Sequence, residues 1–153
     1  RLHRKGKTPD QLIFRLDTVA LNLSAKAHGG AKAKQVIPVK AGASAKCLLA
    51  FMGSRARAEV LDIVFDNDPV GRAAIEVELQ QIRAQGYAVS DSEVDPGVWG
   101  VSAPIFHHSG RGTGSGASIT LMAPSTRAIG RETQFIDGTL RTARAISEHM
   151  QTD

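Results

Sequence analysis

Between Gly86 and Pro124 the chain reads as strands joined by turns and not by helices, and this restricts its fold more than any other feature. YAVS and VWGVSAPIF have the apolar, β-branched and aromatic character of strands, and only the turn-rich DSEVDPG lies between them. The glycine-rich SGRGTGSG follows and reads as a long hairpin turn, and ASITLM is a further strand closed by Ala123-Pro124. Parallel neighbours need a crossover of about a dozen residues or more, usually a helix. None is available here, so the stretch argues for an α+β or mixed sheet with helices packed on one face.

The helices lie on either side of this stretch. AGASAKCLLAFM, 41–52, opens with small residues and continues into Leu48, Leu49 and Phe51. SRARAEVLDIV follows, with Ser54 as its expected N-cap. In GRAAIEVELQQIRAQG, Ile75, Leu79 and Ile82 recur at i, i+4 and i+7, and Gly86 stops the helix. From Thr133 onward Ile136, Leu140, Ala143, Ile146 and Met150 share one helical face. Upstream, QLIFRLDTV and QVIPV read as short strands on either side of a turn at HGGAKAK, and residues 1–10 as a basic arm or linker remnant. The domain is therefore expected to span 11–153.

Composition limits the function classes. A hydrophobic fraction of 42% and a charged fraction of 22% suit a soluble globular domain. No apolar run approaches the ~18 residues of a membrane span. The basic start is followed by no apolar signal region, and Arg1 in place of a Met leads one to expect a longer protein. Charge is polarised: ten Lys/Arg against two Asp through Lys46 give +8, and nine against thirteen acids thereafter give −4. A basic end can touch nucleic acid, but aromatic interleaving is absent and a solvated arm accounts for it. One cysteine, Cys47, excludes an internal disulfide and suits the cytoplasm; in AKCLLAF it reads as a buried structural thiol.

Each chemistry-bearing residue also has a plainer role. His107 and His108 are neighbours on a strand and point to opposite faces, which makes joint metal binding poor, and no metal-ligand spacing occurs elsewhere. The alternating glycines 110–116 precede a strand, not a helix, so they do not form a dinucleotide loop. Glu93 and Asp95 read as hydrated loop acids, and no nucleophile elbow or triad spacing exists. The residues therefore suggest no catalytic set, metal or cofactor. AGASAK, 41–46, leaves two readings open: free N–H groups at a helix N-terminus able to receive a carboxylate, or small residues that allow close helix–sheet packing.

Taken together, LQQIRAQGYAVSDSEVDPGVWGVSAPIF resembles the signature segment of the IclR family of bacterial transcriptional regulators. There a helix ends in Gly-Tyr, an acidic loop with a Glu and a Gly-Val follows, and an apolar strand ends in Ala-Pro-Val/Ile-Phe. VIPVKAGASAKCLLAF is similar to that family's "PLHATALGKALLA", ASITLMAPSTR to its "LSVSGPSSR", and TLRTARAISEHM to its closing helix, in the same order over about residues 35–150. The resemblance implies an effector-binding domain of profilin- or GAF-like α+β form, with a curved, mostly antiparallel sheet carrying helices. The family's winged-helix DNA-binding domain has no counterpart in this stretch. It also implies a small organic effector, operator DNA bound through that separate domain, and a homodimer or homotetramer.

The pocket positions implied by the resemblance are Gly42, Ala43, Ser44 and Ala45 at the helix entry, Ser90, Trp99 and Gly100 in the signature segment, and Thr120 and Met122 in the last strand. An acid group would meet the N–H groups at 42–45 with Ser90 or Thr120, and an apolar part would lie on Leu48, Trp99, Val101 and Met122. Ser90 stands where the family has an acid, and Gly100 where it has a small or Cys side chain, which implies a roomier, less acidic pocket. Two other classes compete: a small-molecule enzyme using Glu93, Asp95 or Cys47, and an oligomerisation module without a ligand.

Overall fold

The structure is a computed structural model, and it describes residues 41–109 and 112–150. The basic arm and the strands expected at 11–19 and 35–39 lie outside the described residues. Among the described residues three helices come first: α1 (Ala43–Phe51), α2 (Ser54–Val64) and α3 (Pro69–Gln85). Strands β1 (Ala88–Asp91), β2 (Val98–Ser109) and β3 (Gly112–Pro124) follow, then a single turn, α4 (Ser125–Ala128), and the closing α5 (Glu132–His149). The three strands form one antiparallel sheet in the order β1-β2-β3, so the fold is α+β.

Local chemistry explains most boundaries. Asp68 accepts a hydrogen bond from Gly71 N at 2.8 Å and Pro69 opens the helix, which caps α3 at its start. Gly86 ends α3 in the left-handed conformation, φ 88°, where its N–H closes on Ile82 O. Between α1 and α2 the cap is Gly53 and not Ser54, which is the first residue of α2 and makes no capping bond.

The glycine run departs from expectation. Ser109 pairs with Gly112, and His107 with Gly114, so Gly112, Gly114 and Gly116 belong to β3 and not to a long turn, while Gly110 lies outside the described residues. One register shift, between Ile105 and Phe106, breaks the ladder. Beside it Phe106 N donates to Ser147 Oγ of α5 at 2.9 Å, and that hydroxyl donates in turn to Ala143 O. This pair of bonds is what lets a serine sit buried on α5.

Helices cover both faces of the sheet, and not one as expected. On one face α1 lies on all three strands and carries α3 on its outer side. Cys47, Leu49 and Ala50 of α1, Val60, Leu61 and Val64 of α2, Ile75, Leu79 and Ile82 of α3, and Ala88 of β1 form the larger core. On the other face Trp99, Val101 and Leu121 meet α4 and α5 through Ala128, Phe135 and Ile136. Apolar side chains thus occur on both sides of the strands, and each side needs its own cover. Met150, expected on the buried face of α5, lies past its end and is half exposed. Among the described residues no helix is long and apolar enough to cross a membrane.

Candidate functional site

Side chains alternate across a pleated sheet, so register decides which candidates meet. Ser90 lies opposite Gly100, and Gly100 opposite Met122; the next row on the same face is Ala88, Ser102 and Thr120. Thr120 Oγ1 donates to Ser102 Oγ at 3.0 Å, and Ser102 Oγ to Ile119 O at 3.3 Å. Helix α1 runs along this face parallel to β2. Gly42 meets Val94 and Glu93, Cys47 meets Ser102, and Phe51 stacks edge-on against Phe106 with ring centroids 5.6 Å apart. The first turn of α1 therefore lies above the Ser90–Gly100–Met122 row.

That row is built from small or flexible groups. The three atoms nearest a methyl placed on Gly100 are Ser90 Oγ at 3.4 Å, Leu121 O at 3.7 Å and Met122 Cγ at 3.8 Å, all from its own sheet. Met122 is an apolar side chain left 41% exposed at the row's edge. Above it, helix geometry leaves the N–H groups of Ala43, Ser44 and Ala45 without intrahelical acceptors. Ser90, Gly100, Thr120, Met122 and the 42–45 turn are thus brought together.

Trp99 is not among them. It lies on the opposite face under α5, with its ring centroid 5.9 Å from that of Phe135, and the Arg131 guanidinium lies over the Phe135 ring 5.0 Å from the centroid. Val101 is buried on that same side. Adjacent strand residues cannot share a face, so the grouping of Trp99 with Gly100, and of Val101 with Met122, fails on pleat alone.

Three charged residues complete the site: Lys46 and Glu78, which sequence did not single out, and Glu93, which read there as a hydrated loop acid. Lys46, only 3% exposed, donates to Glu78 Oε1 at 2.7 Å and to Glu93 Oε1 at 2.6 Å. Glu93 also accepts from Gly42 N at 2.8 Å through its other oxygen. Glu93 is therefore not a merely hydrated loop acid: it is a carboxylate already seated at the N-terminus of α1. Burial pushes the Lys46 ammonium towards a lower pKa, and the hydrogen bonds and charges of Glu78 and Glu93 together outweigh it, holding the pKa above 10.5. A sequence signal existed. A lysine inside the apolar run AKCLLAF cannot be buried without a counter-charge, and its partners had to come from distant acids.

Cys47 is fully buried, and burial pushes its thiol up to about 12, with a hydrogen bond to Ser102 opposing only part of that. At neutral pH it is a packed thiol and not a nucleophile. An aromatic disulfide reagent at pH 8 is expected to leave Cys47 unmodified in the native protein and to label it fully in denaturant. The linkage sign follows: the unfolded thiol ionises above about 9 while the folded one stays protonated, so stability falls as pH rises from 9 towards 12. Cys47→Ala removes that slope. Rapid native labelling would contradict the assignment.

Among the described residues no three His, Cys, Asp or Glu side chains gather as a metal site. Comparison with known proteins agrees with this architecture. The chain is similar to the C-terminal domain of a Vibrio cholerae protein assigned as a transcriptional regulator: 40% identity, TM-score 0.59, covering 72% of this chain and 65% of that one. It is similar to Pseudomonas aeruginosa HmgR, with 30% identity and TM-score 0.62 over 78% of this chain and 48% of that one. In sequence it is 36% identical to the HTH-type transcriptional regulator BhcR of Paracoccus denitrificans over 76 residues, 49% of this chain and 26% of that protein. It thus spans about a quarter of BhcR and about half of HmgR. The family model for the bacterial transcriptional regulator IclR C-terminal domain matches residues 11–148, nearly the whole sequence, and the chain belongs to that family.

Proposed function

We propose that this domain, spanning 11–153, is the ligand-sensing part of a bacterial, cytoplasmic transcriptional regulator, and that it binds a small organic acid without transforming it. The observation that carries this reading is the stack of the α1 N-terminal turn over the Ser90–Gly100–Met122 row. Backbone N–H groups at 43–45 and the Ser90 hydroxyl offer donors for a carboxylate, and Met122 and Leu48 offer apolar surface. Family membership supports the regulatory role, and the relatives named above are regulators. Operator DNA would be bound through a separate winged-helix domain, and self-association as a homodimer or homotetramer would pair two such domains.

Sensing of this kind needs only a difference in ligand affinity between two states, and a coupling of about 1–3 kcal/mol suffices. A thermal-shift screen with monocarboxylic and aromatic acids tests it. A true ligand at a hundred times its Kd should add about 2.7 kcal/mol, and the shift should saturate with no product formed. Turnover of any acid that shifts the domain would replace sensing by catalysis.

A further inference from the structure

The loop at residues 91–97 ties together two parts of the molecule. On one side Glu93 binds Gly42 N and Lys46 Nζ, and Val94 Cγ2 lies 3.0 Å from where a side chain on Gly42 would begin. On the other side Ser125 N donates to Gly97 O at 2.8 Å and Ser125 Oγ to Asp91 Oδ1 at 2.6 Å. Ser125 is the first residue of α4, which leads into α5. The loop is braced within itself: Ser92 N donates to Val98 O at 2.8 Å, Gly97 N to Ser92 Oγ at 3.1 Å, and Ser92 Oγ to Asp91 Oδ1 at 3.0 Å. Ser92 also holds a φ of 57°, a conformation that non-glycine residues avoid unless their surroundings impose it. A segment so braced moves as one piece.

We propose that this loop is a latch, in which Glu93 sits at the N-terminus of α1 in the place of a ligand's carboxylate, and an acid that takes this place releases the loop and its tie to Ser125. The inference rests on the reading that acids bind this face. One carboxylate bridges Gly42 N–H and the Lys46 ammonium, and a second beside it would meet like charge at close range. Lys46 keeps Glu78 as a partner through the exchange, so no buried ammonium is stranded when Glu93 leaves. The ligand thus trades one carboxylate for another on the α1 side of the sheet, and the consequence appears at α4 and α5 on the other side.

Amide hydrogen exchange on the full 153-residue chain, wild type against Glu93→Gln, tests the latch. Glutamine keeps the shape and loses the charge. The Ser92 and Ser125 amides should exchange about tenfold faster or more, the scale of losing one charge-assisted hydrogen bond, while Leu79 and Ile82 amides in α3 stay unchanged. Unchanged exchange at Ser92 and Ser125, or equal acceleration everywhere, overturns the proposal. A second arm uses Glu93→Ala with sodium acetate as the probe against sodium chloride at equal ionic strength. Acetate should raise the melting temperature of the variant saturably and leave the wild type unmoved, while Ser92 and Ser125 still exchange fast. No acetate-specific effect on the variant also overturns it. If the wild type binds acids in the screen but neither arm responds, sensing stands and the latch falls. If both arms respond and no acid shifts the wild type, Glu93 is a fixed structural tie, and the exchange of carboxylates falls together with sensing.

Discussion

Replacing Leu79 by alanine is expected to lower the unfolding free energy by about 3–4 kcal/mol. Leu79 is 1% exposed at the middle of α3 and packs in the cluster that holds Leu49, Ala50, Leu61, Ile75 and Ala88. Truncation removes three carbons' worth of burial and leaves a void that three helices and a strand cannot all close around. Against a total stability of roughly 5–15 kcal/mol the loss is large. Urea unfolding should show a lower midpoint at an unchanged slope, because the surface exposed on unfolding is nearly the same in variant and wild type. The exposed neighbour Val77, on the opposite side of the same helix, gives the contrast: Val77→Ala should change stability by about 0.5 kcal/mol or less.

Lys46→Ala is the second large effect, expected at about 2–3 kcal/mol. Removing one member of a fully buried ion pair typically costs about 3–5 kcal/mol. Here the acids left behind, Glu78 and Glu93, are 41% and 33% exposed, and water recovers part of their loss. Lys46→Met separates packing from charge, since it keeps most of the apolar stem; its deficit should be smaller than that of alanine but clearly present. The pH dependence has a defined sign. The folded ammonium titrates above its ordinary 10.5, so its contribution is complete below that value and is lost as pH rises through the folded pKa. The gap between wild type and Lys46→Met should therefore be flat from pH 7 to 10 and narrow only beyond. Comparing these two proteins cancels the Cys47 slope, which both share.

Periodicity made much of the fold legible. The Ile75, Leu79, Ile82 spacing located the buried face of α3, and Gly86 its end, because a 3.6-residue repeat and a left-handed cap are local signals. The β1–β2 hairpin was readable for the same reason. The glycines of β3 were not: without side chains they carry no alternation, so a strand through Gly112, Gly114 and Gly116 looks like a turn. Helices on both faces were also hidden, since Gly100, Ser102 and Thr120 read as polar although α1 covers them.

The candidate site divides along the same line. Ser90, Gly100, Thr120 and Met122 meet as the resemblance implied, whereas Trp99 faces the other way, an outcome that the two-residue repeat of a strand already required. Glu93 was misread because its partner Gly42 lies 51 residues away, and no local pattern reports a contact of that range. Lys46 was the clue: a buried charge announces a partner without saying where it lies.

Isothermal titration of the wild type and Gly100→Val with an acid that shifts the wild type tests the central claim most directly. Valine suits a strand and would project from the Ser90–Gly100–Met122 row into the place proposed for the ligand, with its Cβ 3.4 Å from Ser90 Oγ. The sensing account predicts saturable binding to the wild type, at least about a tenfold loss in Gly100→Val, and unchanged binding in Phe135→Leu, which alters only the opposite face. Equal affinity in wild type and Gly100→Val, or a loss confined to Phe135→Leu, would place the ligand elsewhere and contradict it.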